Sequence, residues 1–250
     1  MIRSEIINNT AIITLYRPEK RNAIHPVMVD QIKSRLIEFT DNDAVRSMII
    51  TGEGSTFCAG ADLEYLQKIS NNSSIENFDD SKSLAEMFLM IHEFPKPTIA
   101  AVNGNAIAGG CGLASVCDFI IAHPENSKFG YSEVKIGFIP AIVSIFLIKK
   151  IGEGLAKQLL LEGNVISGKR AYEIGFVNYL TENVLDEALN ISTRLNKNSS
   201  ESIRQTKQMI NQVSSLSVRD AIDQCINLNV ISRATDDFIS GINSFLNKEK

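Results

Sequence analysis

Thr98-Ile99-Ala100-Ala101-Val102-Asn103-Gly104-Asn105-Ala106-Ile107-Ala108-Gly109-Gly110-Cys111 is the stretch on which the fold turns. Thr98–Val102 has the composition of a short strand, and Asn103-Gly104 is a turn. Gly109-Gly110 breaks the chain again before Cys111–Cys117, an apolar run that reads as a helix. From Thr98 to Cys117 there is no charge, over a length that could span a membrane. The glycines and the pair Asn103 and Asn105 inside it make strand, turn and buried helix the better reading. The same order occurs about fifty residues earlier, where strand Ser47–Thr51 is broken by Gly52-Glu53-Gly54. Gly60 and a helix from Asp62 through Leu63, Leu66 and Ile69 follow it. Strand, turn, glycine break and helix thus occur twice, a weak internal repeat. An α/β fold built as a stack of ββα turns explains this better than one doubly wound sheet.

Outward from this centre, Thr10–Leu15 is a strand, and His25-Pro26 opens a helix with Pro26 at its first position. Met28, Ile32, Leu36 and Phe39 give that helix an apolar face. Asn71–Ser74 is a polar linker before a helix carrying Leu84, Phe88 and Ile91, which Pro95 and Pro97 stop. Phe119–Ala122 is a third strand of the central set and leads to Gly130 and Glu133. Beyond Glu182 strand-like runs cease. Helices are expected over Val184–Leu195, Glu201–Val213, Val218–Ile231 and Asp236–Leu246. The chain divides into a β-rich core, residues 1–190, and a helical region, residues 191–250. That region needs a surface to pack on, and a neighbouring subunit is the natural one.

The 250 residues suffice for one sizeable domain, and 44% apolar against 22% charged residues is ordinary for a soluble protein. A net charge of −4 argues against bulk attraction to nucleic acid or an anionic membrane. Cys58, Cys111, Cys117 and Cys225 form no C-x-x-C pair, so they read as thiols of a reducing, cytoplasmic compartment. No basic and apolar leader opens the sequence.

Three motifs carry chemistry. Thr56-Phe57-Cys58-Ala59-Gly60-Ala61-Asp62-Leu63 is a small-residue turn feeding a helix N-terminus, whose N–H groups lack intrahelical acceptors. Asn103–Cys111 is a second such turn. Its glycine spacing mimics a phosphate-binding loop, but Gly110 and Cys111 stand where lysine and serine or threonine are required. Each turn alone is compatible with a simple strand-to-helix connection. Together they can direct two N–H donors at one oxygen, an oxyanion hole. In the third motif, Phe129-Gly130-Tyr131-Ser132-Glu133, an acid sits among apolar neighbours. Desolvation there would raise its pKa toward what acid/base work needs. No G-x-S-x-G elbow, G-x-G-x-x-G fingerprint or histidine/cysteine metal spacing is present, so no metal or redox cofactor is expected. What remains is proton chemistry beside a carbonyl.

From about Ile6 to the C-terminus the chain resembles the crotonase superfamily (enoyl-CoA hydratase/isomerase). The matching stretches are Arg17-Pro18-Glu19-Lys20-Arg21-Asn22-Ala23, Phe57–Leu63, Ala101–Asp118 and Phe129–Pro140. The resemblance implies a crotonase-like ββα superhelix, a C-terminal helical trimerisation region, and homotrimers or dimers of trimers. It implies an acyl-CoA thioester substrate whose coenzyme A is the only cofactor-like group. The thioester oxygen would accept from the N–H groups of Ala61 and Gly109. Lys20, Arg21 and Ala23, with Ala59, Gly60, Ala61, Asp62 and Leu63, would line the coenzyme A path. Gly110 and Gly112 are further candidate substrate-binding residues, and Ser144, Ile145 and the helices after Pro140 are candidates for lining an acyl tunnel.

One position departs from the pattern. Hydratases of this family commonly carry a second glutamate directly after Gly-Gly-Cys, and this chain has Gly112 there. A single carboxylate, Glu133, suits double-bond isomerisation between C2 and C4. The surrounding residues resemble a bacterial branch described as hydratases. Water addition to a 2-enoyl-CoA is the expected activity, with Δ3,Δ2-enoyl-CoA isomerisation and non-catalytic acyl-CoA binding as alternatives. If the cavity has room, Gly112→Glu is expected to raise hydration.

Overall fold

The computed structural model describes residues 1–248 and contains two sheets. The larger has Ile2–Ile7 (β1), Thr10–Leu15 (β2), Ser47–Gly52 (β3), Thr98–Val102 (β5), Phe119–Ala122 (β7) and Tyr179–Leu180 (β10), in that spatial order. The smaller has Thr56–Cys58 (β4), Asn105–Ile107 (β6), Lys128–Gly130 (β8) and Val165–Ser167 (β9). Three times the chain passes from a strand of the first sheet to its neighbour in the second: β3 to β4, β5 to β6, β7 to β8. These strands pair in parallel with their counterparts in the preceding turn. The repeat seen twice in the sequence is therefore a superhelix of three turns.

The central strands are continuous apolar runs because both of their faces are covered. Ile13, Met48, Ile50, Ala100 and Ile120 face the main core. The alternate residues Ile12, Ile49, Ile99 and Ile121 face a second, smaller core. Helix α1 (Pro26–Asp41) buries Met28, Ile32, Leu36 and Phe39 as their spacing predicts. Helices α2 (Leu63–Ile69), α3 (Ser74–Glu93), α4 (Gly109–Ser115), α5 (Ala141–Glu162) and α6 (Gly168–Glu173) complete the middle of the chain. Helix α7 (Val184–Leu195) closes the second core with Val184, Ala188 and Ile191. The division at residue 190 thus falls inside a helix that packs on the sheet. Helices α8 (Ser200–Val213), α9 (Val218–Arg233) and α10 (Asp236–Lys248) follow. Neither α8 nor α9 buries a residue, and Ile222, Ile226, Val230, Phe238, Ile242 and Phe245 are exposed.

The smaller sheet was not legible as a sheet. Its strands have three residues each, too few for an alternation to register. Helix α4 also begins two residues earlier than composition indicates, at Gly109 rather than Cys111. The reason is steric. A Cβ on Gly110 would lie 2.1 Å from the Cys58 carbonyl oxygen, so only glycine lets α4 start directly against β4. No described helix is long and apolar enough to cross a membrane, so the uncharged run from Thr98 is strand and buried helix.

Gly110→Ala is expected to lower the thermal unfolding midpoint by about 5 °C or more. Overpacking against backbone costs about 1–3 kcal/mol or more, and a chain of this size loses roughly 2–4 °C per kcal/mol. Circular dichroism melting measures it, and an unchanged midpoint would refute the packing account.

Candidate active site

Arg17 through Asp62 form one connected polar frame. Asn22 is fully buried, and its amide donates to the carbonyls of Glu53 (2.9 Å) and Thr56 (2.7 Å). Its own oxygen accepts from the Arg17 N–H at 2.9 Å. Arg21 and Asn22 both adopt left-handed backbone angles (φ 51° and 54°), which bends this segment back onto the turn after β3. The bent segment then pairs with the residues after β4. Ala59 N–H donates to Arg21 O, Ile24 N–H to Gly60 O at 2.7 Å, and Asp62 N–H to Ile24 O at 3.0 Å. In that parallel bridge the N–H of Ala61 points the other way, and no acceptor among the described residues takes it.

Asp62 locks the far side. One carboxylate oxygen caps α2 by accepting from the N–H groups of Glu64 (3.0 Å) and Tyr65 (3.3 Å). The other meets the Arg17 guanidinium at 2.6 Å. Burial pushes the Asp62 pKa up, but the Arg17 hydrogen bond, the two helix N–H groups and the Arg17 charge together bring it below the ordinary carboxylate value. Both oxygens are committed within the protein, so Asp62 holds the neighbouring Ala61 amide in place.

The second amide belongs to Gly109, first residue of α4, and it too has no acceptor among the described residues. Ala108 before it has φ 51° and ψ −121°, a conformation costing a non-glycine residue about 1–3 kcal/mol. It is held there at both ends: its N–H donates to Gly130 O at 2.7 Å and its carbonyl accepts from Gly112 N–H at 3.1 Å. The two turns touch. A Cβ on Gly60 (φ 89°) would sit 3.3 Å from the Gly109 nitrogen, and one on Gly109 would sit 3.8 Å from the Ala61 nitrogen. Two unpaired amides thus border one small space, and both residues are half-buried rather than sealed.

Glu133 is attached to the same structure. Gly130 O anchors Ala108, and Gly130 N–H donates to the Cys111 sulfur at 3.2 Å. Three residues on, Glu133 starts a short helical turn with 7% of its surface exposed. Its Oε2 has no hydrogen-bond partner. Burial raises its pKa above the ordinary carboxylate value, offset in part by a hydrogen bond from its own backbone N–H. A carboxylate left bare and desolvated is poised to take a proton. The neighbouring thiols are not competitors, because burial pushes Cys58 and Cys117 up to about 12 and Cys111 well above its usual value.

Among the remaining residues, Arg21 and Leu63 are exposed. Lys20 is an exposed cation that reaches Glu64. Ala23 is buried, with its carbonyl facing Arg17 at 3.4 Å. Ala59 and Gly60 follow the end of β4 and lead into Ala61. Gly110 and Gly112 are buried, against Cys58 and against Val143 and Phe88 respectively. The room required for Gly112→Glu is absent, since a Cβ there would lie 2.1 Å from Val143 Cγ1. On α5, Ser144 donates back to Ala141 O and Ile145 is half-exposed, while Val143 is the residue turned toward α4. Sequence reading missed Asn22 and Val143: one looks like an ordinary loop asparagine, the other like any helix core residue. A cavity of about 820 Å³ between β1 and α1 includes none of these groups.

Fold and site together give a two-sheet superhelix with two backbone amides free of acceptors among the described residues and one buried acid on the adjoining turn. Residues 5–250 match the family model described as "Enoyl-CoA hydratase/isomerase", and the chain belongs to that family. Crotonyl-CoA hydratase of Syntrophomonas wolfei is 34% identical over 248 residues, covering 96% of this chain and 92% of that protein. 2,3-Dehydroadipyl-CoA hydratase of Escherichia coli is 30% identical over 240 residues, covering 95% and 92%. The crystal structure of an enoyl-CoA hydratase from Polaromonas sp. JS666 superposes with a TM-score of 0.94 at 32% identity, covering 99% of this chain and 97% of that one.

A raised folded-state pKa at Glu133 means that its charged form destabilises the fold. The penalty is full above the folded pKa, eases as pH falls through it, and is gone below the unfolded value of about 4.3. Glu133→Gln is therefore expected to be more stable than wild type at pH 8, with the gain vanishing near pH 4. Urea midpoints across that range measure it; equal midpoints at pH 8 would contradict a desolvated carboxylate.

Proposed function

We propose that this protein is an enoyl-CoA hydratase, adding water across the C2=C3 bond of a 2-enoyl-CoA thioester. One observation supports the reading: two amides without acceptors among the described residues, Ala61 and Gly109, sit in touching turns, and the segment that anchors Ala108 carries a buried carboxylate, Glu133, with a bare Oε2. In this mechanism the thioester oxygen accepts from both amides, which lowers the energy of the enolate as electrons move onto that oxygen. Glu133 accepts a proton from water as the water oxygen bonds to C3. The enolate then collapses, C2 takes the proton back, and a 3-hydroxyacyl-CoA leaves. One group performs both transfers in sequence, and no cofactor beyond the substrate's coenzyme A is called for. The hydratase names of the relatives above favour this direction over isomerisation.

Lys20, Arg21, Ala23, Ala59 and Leu63 flank the Ala61 side and would carry the coenzyme A moiety. The unburied α9 and the exposed apolar residues of α10 fit a homotrimer, or a dimer of trimers, acting in the cytoplasm without nucleic-acid or membrane partners.

Gly109→Ala tests the amide pair without deleting a donor. The tightest contact of its Cβ is the flexible end of Ile24 at 3.2 Å, and at 3.8 Å from the Ala61 nitrogen it intrudes on the space before that amide. Hydration of crotonyl-CoA is expected to fall about 10²–10³-fold in a folded protein, as for loss of one oxyanion contact, because the methyl keeps the thioester oxygen from reaching both amides. Glu133→Gln is expected to lose about 10²–10⁴-fold. A 3-enoyl-CoA is assayed alongside. Faster conversion of it, with no water addition to crotonyl-CoA, would replace the hydratase reading with isomerisation.

A further inference from the structure

Gly109 and Gly112 are three residues apart on α4, so they share one face of the helix. At Gly109 that face meets Ile24 and the Ala61 amide. One turn further, at Gly112, it meets Val143 and Phe88, with a Cβ on Gly112 falling 2.1 Å from Val143 Cγ1, 2.8 Å from Val143 Cβ and 3.4 Å from Phe88 Cζ. An acyl chain whose carbonyl oxygen lies at the two amides must leave that carbonyl along some wall of the site. The α4 face is the wall that begins there.

We propose that Val143 is the specificity-determining residue of this wall. It fills the volume that a side chain at position 112 would need, so the site admits one acid, Glu133, and the acyl group beside C2 and C3 meets valine methyls instead of a second carboxylate. This rests on the enoyl-CoA reading above and deepens it. Val143 is 5% exposed and fixed on α5, whose first turn follows the Glu133 segment directly. Phe88, which a Cβ on Gly112 would also approach, is wholly buried, with the Phe146 ring at a centroid distance of 6.3 Å. The wall at Gly112 is therefore lined by a buried valine and a buried ring, and its width is set by the size of residue 143. Two consequences follow. Gly112→Glu alone has no site for its side chain, and the substrate's tolerance for branching at C3 depends on residue 143.

Both consequences are measurable on the full-length protein. Val143→Ala and Val143→Leu leave Gly112 and Glu133 intact. The kcat/KM ratio for a C3-methyl-branched against a linear 2-enoyl-CoA is expected to rise about tenfold or more for alanine and to fall similarly for leucine, since one methylene commonly separates substrates by 10–200-fold. A ratio unchanged in both folded variants overturns the proposal. Independently, Gly112→Glu is compared with Gly112→Glu/Val143→Gly. The double variant is expected to hydrate crotonyl-CoA at least tenfold faster than the single one, and its pH profile to gain a second carboxylate limb. A single variant that melts with wild type and matches the double one in rate and profile also overturns it. Wild-type enzyme is the control that separates the two layers. If wild type hydrates no enoyl-CoA, the functional reading fails; if wild type turns over and the ratios stay fixed, only the role of Val143 fails.

Discussion

Everything in this protein depends on how closely successive turns of the superhelix approach one another through backbone. At Gly110 a single added carbon would fall 2.1 Å from the Cys58 carbonyl, and at Gly104 it would fall 2.1 Å from the Ser55 carbonyl. Side chains cannot be interposed at such contacts. The connections leading into β4 and β6 are thereby stacked at Ser55 and Gly104, and the start of α4 is stacked on the end of β4 at Gly110 and Cys58. That stacking brings the nitrogen atoms of Ala61 and Gly109, far apart in sequence, to the same small space. An oxyanion hole assembled from side chains would have to order each donor at an entropic cost. Amides locked into adjacent turns are ordered by folding itself, so they need little reorganisation when charge develops.

The polar frame around Ala61 shows what it takes to hold one such amide. Asn22 ties its loop to two carbonyls, Arg17 meets Asp62, and Asp62 caps α2. Arg17 and Asp62 are largely buried, at 13% and 7% side-chain exposure, so losing either partner would leave a charge uncompensated. This explains why Asp62, which looks like a ligand-binding acid in sequence, has no free oxygen to offer. Its depressed pKa and the raised pKa of Glu133 mark opposite uses of the same residue type. Asp62 is paired and structural; Glu133 is desolvated and has a bare Oε2, as the proposed proton transfer requires.

How much of this was legible in the sequence varies with the length scale of the signal. The helices α1, α3 and α7 to α9 were readable because an apolar period persists over several turns, and Met28, Ile32, Leu36 and Phe39 are buried as that period demands. The strands β2, β3, β5 and β7 were readable as β-branched or small apolar runs. The three-residue strands of the second sheet were not, because nothing periodic fits in three residues. The two glycine turns were found, and their meeting could be anticipated only as a possibility of the repeat. Which glycine serves what purpose was invisible. Gly60, Gly109, Gly110 and Gly112 look alike in a string, yet one has positive φ, one carries a free amide, one admits a backbone carbonyl and one admits Val143.

The last of these distinctions alters how the missing second glutamate is understood. Read as a string, Gly112 is a deletion, an acid lost from a site otherwise ready to hold it. In three dimensions the position is occupied from the other side, by a β-branched residue with little rotamer freedom on a helix. A carboxylate could not be restored there by one substitution, because the wall behind it is close-packed. Burial is the largest influence on the Glu133 pKa, and no charged group is among the causes of its shift. A second carboxylate nearby would raise that pKa further by repulsion. With position 112 filled by Val143, the basicity of Glu133 is set by desolvation against the hydrogen bond from its own backbone N–H. On the proposed mechanism one carboxylate then serves as base toward water and as acid toward C2 within a single turnover.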